Sequence, residues 1–214
     1  MGDFAKFYQD GGAFMHAIAL CAVLGAGVMI ERFIFLFFRF NINGGQFFSQ
    51  VQKLVMANNI DRAIKLCNAG DKAALARVVK SGLTRANKSE ADISAAVEEA
   101  MLEVGPLINK RISMIAAIAN VATLLGLLGT IFGMIEAFRA VAEAPADQRS
   151  TALAKGIGIA MNTTGFGLMV AIPLLASHIF ISNLAKKITD EVELYSVKLE
   201  NLLISRGKSG GAVE

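Results

Sequence analysis

Three stretches of the chain lose nearly all charge for the length a helix needs to cross a bilayer, and the segments between them place apolar residues at three- and four-residue steps. The apolar stretches cover 13–31, 113–138 and 156–181, and each predicts a transmembrane helix. The first runs into "ERFIFLFFRF", where Glu31 and Arg32 mark a membrane edge. The other two, "TLLGLLGTIFGMIEAFRA" (123–140) and "GIGIAMNTTGFGLMVAIP" (156–173), place threonines and glycines in their interiors where a carboxylate is missing.

Between the first two spans, 32–112 reads as a loop of short amphipathic helices. Ala63, Ile64 and Cys67 share one face, and Leu75, Val78, Val79 and Leu83 share another, with breaks expected at Gly70, Gly82 and the Asn87–Lys88 turn. "SEAD" at 89–92 predicts a helix start with Ser89 as the cap and Asp92 complementing the positive helix end. That helix leads toward the second span, with a kink or a break expected at Gly105–Pro106. After the third span, Leu184, Ile188, Val192, Tyr195, Leu199 and Leu202 continue a near-heptad stripe through 182–206. The stripe can lie on the loop helices or line an axis shared by several copies. The tail 207–214 is Gly-rich and expected to be disordered.

Composition agrees with a lipid solvent: 54% of the 214 residues are hydrophobic, only 18% are charged, and mean hydropathy is +0.52. The start of the chain lacks a small-residue cleavage site after a short apolar core, so the first span is expected to persist as an anchor. Lys and Arg near the membrane edges number seven on one side (Arg32, Arg39, Lys110, Arg111, Lys186, Lys187, Lys198) and four on the other (Lys6, Arg139, Arg149, Lys155). That bias puts 1–12 and the 139–155 turn outside, with the 32–112 loop and the C-terminus in the cytoplasm. Dispersed basic residues give no case for nucleic-acid binding, and Cys21 and Cys67 offer neither metal-ligand spacing nor an evident disulfide. No metal or other cofactor is expected.

In lipid, helices associate through small residues and hydrogen bonds. Gly126, Thr130, Gly133 and Ala137 recur along the second span beside Gly129, while Ala160, Thr163, Thr164, Gly167 and Ala171 lie on neighbouring faces of the third. Two readings stand. Either these are packing faces, with each threonine bonded to the carbonyl one turn back, or Thr130, Thr163, Thr164 and Asn162 line a narrow polar track.

Here the sequence resembles a family. "IANVATLLGLLGTIFGMIEAF" (118–138) followed by "GIGIAMNTTGFGLMVAIP" (156–173) is similar to the paired signature of the MotA/TolQ/ExbB proton-channel proteins, closest to the TolQ/ExbB branch. "AFMHAIALCAVLGAGVMIERFIFLF" is similar to the family's first span and "DRAIKLCNAGDKAALARVVKSGLTRA" to its cytoplasmic helical region. The resemblance implies an all-α integral membrane protein of the bacterial inner membrane. It would have three transmembrane helices with long cytoplasmic helical extensions and form a homo-oligomeric ring, five copies in family members. The ring encloses two copies of an ExbD/TolR/MotB-like single-span partner with a membrane aspartate, and protons drive work in the cell envelope through that acid. The family's pore threonines fall on Thr130 and Thr164. Gly126, Gly129, Gly133, Gly167 and Ala171 would then serve helix packing or the ring interface.

Two departures from the family matter. Many TolQ/ExbB-like members carry a glutamate where Ile159 stands, and a proline common at Thr123 is absent. Thr123 lies two turns before Thr130 and either packs or extends the polar track. Glu136 is either an edge residue or a charge at the proton entrance. His16 and His178 lack partners at ligand spacing and read as packing residues, and Glu31 with Arg32 reads as an interfacial pair. A small-solute transporter would need charged or aromatic groups near midplane and often an inverted repeat. A structural membrane scaffold needs only the small faces. An enzyme is not expected, since GxSxG, HExxH and phosphate-loop motifs are missing.

Overall fold

The computed structural model describes residues 7–8, 11–40, 42–70 and 72–210, excluding the side chains of Arg39 and 207–210. Lys6, which entered the charge bias, lies outside them, as do most of 1–12 and the last four residues of the tail. Every described element is helical. In chain order these are α1 (Gly12–Ile34), a π-helical turn (Phe35–Phe40), α2 (Gly44–Met56), α3 (Ile60–Ala69), α4 (Ala74–Thr84), α5 (Glu90–Asn109), α6 (Ile112–Glu143) and α7 (Arg149–Gly210). Three helical stretches are long and apolar enough to cross a membrane, and the protein is an all-α integral membrane protein.

The chain divides into two compact units. The first comprises 1–31 and 111–180, hence α1, α6 and the first part of α7; the second comprises 32–110 and 181–214. Large apolar side chains such as Leu20, Val23, Leu124, Phe132, Met169 and Ile172 remain exposed in the first unit. For a helix in lipid this is the stable arrangement, since the hydrocarbon matches them.

The second unit is built as a water-soluble helical assembly would be. Asn43 caps α2 by accepting from the Gln46 backbone N–H at 3.2 Å, and Phe48, Val51 and Val55 form its buried face. This helix falls within the stretch read as short amphipathic helices, although none of its residues is singled out there. Ala63 and Cys67 of α3 and Leu75, Val78, Val79 and Leu83 of α4 are buried as their spacing predicts. Burial pushes the Cys67 thiol up to about 11, with Lys80 pulling weakly the other way, so the thiol is inert. Gly82 does not break the chain. It lies inside α4, where an added Cβ would meet Leu199 Cδ2 at 2.8 Å and Val97 Cγ2 at 2.9 Å, so its missing side chain permits close packing. Within this unit the Tyr195 ring packs tilted by 31° against that of Phe48 with centroids 5.1 Å apart, and Arg206 donates to Asn58 at 2.8 Å. The near-heptad stripe is therefore used inside one chain.

Two boundaries differ from expectation. α5 runs through Pro106 and ends at Asn109, and the break falls at Lys110–Arg111, where Arg111 adopts φ 57°. Pro106 is exposed at the surface of the helix, whereas the left-handed backbone of Arg111 is incompatible with continued α-helical geometry. The stripe after the third span continues without a breaker, as its spacing predicts, and α7 runs from Arg149 to Gly210, so 207–210, expected to be disordered, are helical.

At the start of α5, the Ser89 hydroxyl accepts from the Asp92 N–H at 3.2 Å and donates to the Asp92 carboxylate at 2.7 Å. That hydrogen bond, helped by Lys88 and Arg85, holds the Asp92 carboxyl below the usual carboxylate range. Ser89→Ala should lower the stability of this unit by about 1 kcal/mol, read as a lower thermal midpoint by circular dichroism at pH 7. Because the folded carboxyl titrates below its unfolded counterpart, its contribution is present above the unfolded pKa. It is lost as pH falls through the folded value, so the gap between wild type and variant should narrow in acid.

Candidate functional site

The membrane unit is organised around an antiparallel hairpin of α6 and α7. An added Cβ at Gly126 would meet Gly167 Cα, the Thr163 carbonyl and Thr164 Cα, all at 3.3 Å; one at Gly133 would meet Ala160 Cβ at 2.7 Å. At Gly129 it would overlap Thr163, and at Gly156 it would overlap Ala137. At Gly167 it would press on the Ala122 carbonyl oxygen at 2.8 Å. Ala122, Gly126, Gly129, Gly133 and Ala137 thus face Gly167, Thr163, Ala160 and Gly156 in reverse order. All of the glycines foreseen as a packing or ring face lie in a seam within one chain, and Ala171 is buried one turn beyond Gly167. α1 joins at Gly25, where an added Cβ would meet Leu174 and Ile118, and at Phe14, whose ring lies 5.3 Å from that of Phe132.

The threonines are satisfied in two ways. Thr123 donates to the Ala119 carbonyl at 3.1 Å, Thr130 to Leu127 at 2.6 Å and Thr163 to Ile159 at 3.3 Å, each one turn back on its own helix. Thr164 instead donates across the hairpin to the Gly126 carbonyl at 2.9 Å. This carbonyl is within reach because Gly126 carries no side chain.

Register sorts the polar groups. Thr123 and Thr130 follow the seam positions Ala122 and Gly129 by one residue, and Thr164 follows Thr163. In an antiparallel pair, a step of one residue turns both helices toward the same flank, since each step is about 100° and the two helices run oppositely. Thr123, Thr130 and Thr164 therefore share one flank of the hairpin. Thr163 is inside the seam at 2% exposure, and Asn162 falls on the opposite flank. The Asn162 amide is half-buried and takes no hydrogen bond among the described residues.

The flanking charges sit at the ends. Glu31 accepts twice from one Arg111 guanidinium nitrogen, at 3.0 and 2.8 Å, and so ties the end of α1 to the start of α6. In the second unit, Arg32 is buried, lies 5.1 Å from the Phe35 ring centre and donates to the Leu107 carbonyl at 3.5 Å. Glu136 is exposed and pairs with Arg139 at 3.0 Å. It also lines a cleft of about 590 Å³ with Lys155, Phe14, Phe132, Ile159 and Thr163. His16 bonds the Gly12 carbonyl at 3.3 Å and packs edge-on against Tyr8, a local role. No cluster of metal-binding side chains occurs among the described residues.

These features define a class: a helical membrane protein whose inner spans pack on glycine and present hydroxyls in place of acids. The chain belongs to the MotA/TolQ/ExbB proton channel family, whose sequence model matches residues 70–194, more than half of its length. It is 36% identical over 85 residues, 40% of the chain, to "Biopolymer transport protein exbB1" of Vibrio cholerae; the match spans 37% of that protein's own length. It is 22% identical over 193 residues, 90% of the chain and 68% of the relative, to "Putative biopolymer transport protein ExbB homolog" of Methanothermobacter thermautotrophicus. It is 28% identical over 163 residues, 75% of the chain and 77% of the relative, to "Putative biopolymer transport protein ExbB-like 3" of Synechocystis. The family match and these relatives place the chain on the ExbB branch of that family.

The seam carries a graded expectation. Gly167→Val should lower the thermal midpoint of the detergent-solubilised protein by an amount corresponding to about 1–3 kcal/mol, because the new side chain meets backbone that cannot yield. Gly27→Val, in open space on α1, should leave the midpoint within about 0.5 kcal/mol of wild type.

Proposed function

We propose that the chain is the ring subunit of a proton-motive-force-driven motor or stator in the bacterial inner membrane. It conducts protons jointly with a single-span, aspartate-bearing partner of the ExbD, TolR or MotB kind. A ring of about five copies encloses two partner helices, with the N-terminus in the periplasm and the C-terminus in the cytoplasm. The observation that supports this is the shared flank of Thr123, Thr130 and Thr164: a line of hydroxyls through a membrane hairpin whose midspan holds no acid of its own. An ionisable group at midbilayer is expensive and marks an ion pathway. Hydroxyls on the enclosing ring both donate and accept, so they can bond the partner's carboxyl in its protonated and ionised states and hold water beside it.

Thr164 is the position best suited to switch. Its hydrogen rests on the Gly126 carbonyl, and turning the hydroxyl away exposes that carbonyl and the donor together. Each proton falling through 100 mV releases about 2.3 kcal/mol, enough for a few protons to drive a conformational cycle in the partner. The small seam supplies the other requirement, a thin, rigid wall around a narrow lumen. The work done is expected in the cell envelope: transport, envelope maintenance or motility.

Thr164→Val removes the hydroxyl at nearly constant volume. Proton flux into vesicles carrying the complex should fall roughly tenfold, the factor that about 1.4 kcal/mol of lost hydrogen bonding implies, while the complex stays assembled. Thr164→Ser should restore most of the flux. Wild-type flux in the valine variant would remove Thr164 from the pathway.

A further inference from the structure

The second unit carries a groove of about 530 Å³ between α5 and the distal part of α7, with Ile108 and Val192 among its lining residues. Leu102 lines it with 71% of its surface exposed. Three carboxylates, Glu98, Glu193 and Glu200, line the same groove, and no basic side chain does. Glu200 accepts from the Ser94 hydroxyl at 3.5 Å, whereas Glu98 and Glu193 have no ion-pair partner among the described residues. The imbalance extends along the element, since α5 holds five acids and no base. Lys198 does not offset it: its ammonium lies 5.1 Å over the Tyr195 ring and lines a different groove with Phe48. An occupant must be apolar where it meets Leu102 and basic at its rim.

The same chain offers such a surface elsewhere. Segment 60–88 contains seven basic and two acidic residues. On α3, Arg62 and Lys65 are one turn apart, exposed and without an ion pair among the described residues; Asp61 sits at the positive end of the helix. Met56, at the turn leading into α3, is 73% exposed. Outside 33–38 and α7, Met56 and Leu102 are the two large apolar side chains most exposed in this unit.

We propose that the acidic groove of α5 and α7 receives the Met56–Lys65 face of a second copy of this chain, Leu102 against Met56 and Glu98 and Glu193 against Arg62 and Lys65. The two patches differ, so the contact is heterologous, and heterologous contacts that close generate rings. Opposite potentials steer copies together and fix their register, while like-charge pairings of two acidic grooves are disfavoured. The inference rests on the ring reading above and names the surface by which neighbouring subunits recognise one another outside the lipid.

The test is oxidative cross-linking in native membranes of the full chain with its partner, after Cys21 and Cys67 are replaced by alanine. Met56→Cys combined with Leu102→Cys should give a ladder of disulfide-linked multimers on non-reducing gels, and either substitution alone should give none beyond a dimer. Glu98→Lys with Glu193→Lys should reduce the ladder several-fold, and adding Arg62→Glu with Lys65→Glu should restore it. Light scattering of the same samples separates the outcomes. An intact multimer with no ladder, or with an intrachain disulfide alone, overturns the proposed contact; a monomer overturns the ring reading beneath it as well.

Discussion

In a bilayer, two helices approach only as closely as their side chains allow, and apolar bulk gives no advantage because lipid offers the same contacts. The α6–α7 seam answers that constraint with glycine and alanine at nearly every facing position. Ala122, Gly126, Gly129, Gly133 and Ala137 meet Gly167, Thr163, Ala160 and Gly156 at distances where a single added carbon would touch backbone or a neighbouring Cβ. The approach exposes the Gly126 carbonyl to Thr164 and places the hydroxyls of both helices on one flank. Loss of the seam would therefore remove the hydrogen bond, the flank and the rigidity of the hairpin together.

Charge is distributed to suit the same solvent. The described spans keep their acids at the ends, with Glu31 held by Arg111 and Glu136 by Arg139. Arg111 has the less common left-handed backbone at the point where α5 stops and α6 begins, and its pairing with Glu31 fixes that turn beside the end of α1. Outside the lipid the balance changes. In the second unit, α5 is acidic, and Arg62 and Lys65 of α3 are exposed without an ion pair among the described residues.

Much of this was legible in the residues. Three apolar runs of membrane length, a Ser89 cap and the buried positions of α3 and α4 follow from periodicities that any helix in water or lipid must obey. Membership of the proton channel family was legible from the two inner spans and is established by the match over 70–194. Pairing was less accessible. Spacing grouped Thr130, Thr163, Thr164 and Asn162 as a candidate polar track, but only the register of the hairpin shows that Asn162 turns away and that Thr164 bonds across. Spacing also suggested Gly82 and Pro106 as breaks; tertiary packing uses the first to bring α4 close to Leu199, and the true break lies at Arg111, whose sequence carries no turn signal.

The central claim is that this chain works as one of several copies around a partner that supplies the membrane acid. Native mass spectrometry of the gently solubilised complex from its own cell tests it most directly. The account predicts about five copies of this chain holding two copies of a single-span protein with an aspartate in its span. A monomer, or a small oligomer without such a partner, would contradict it.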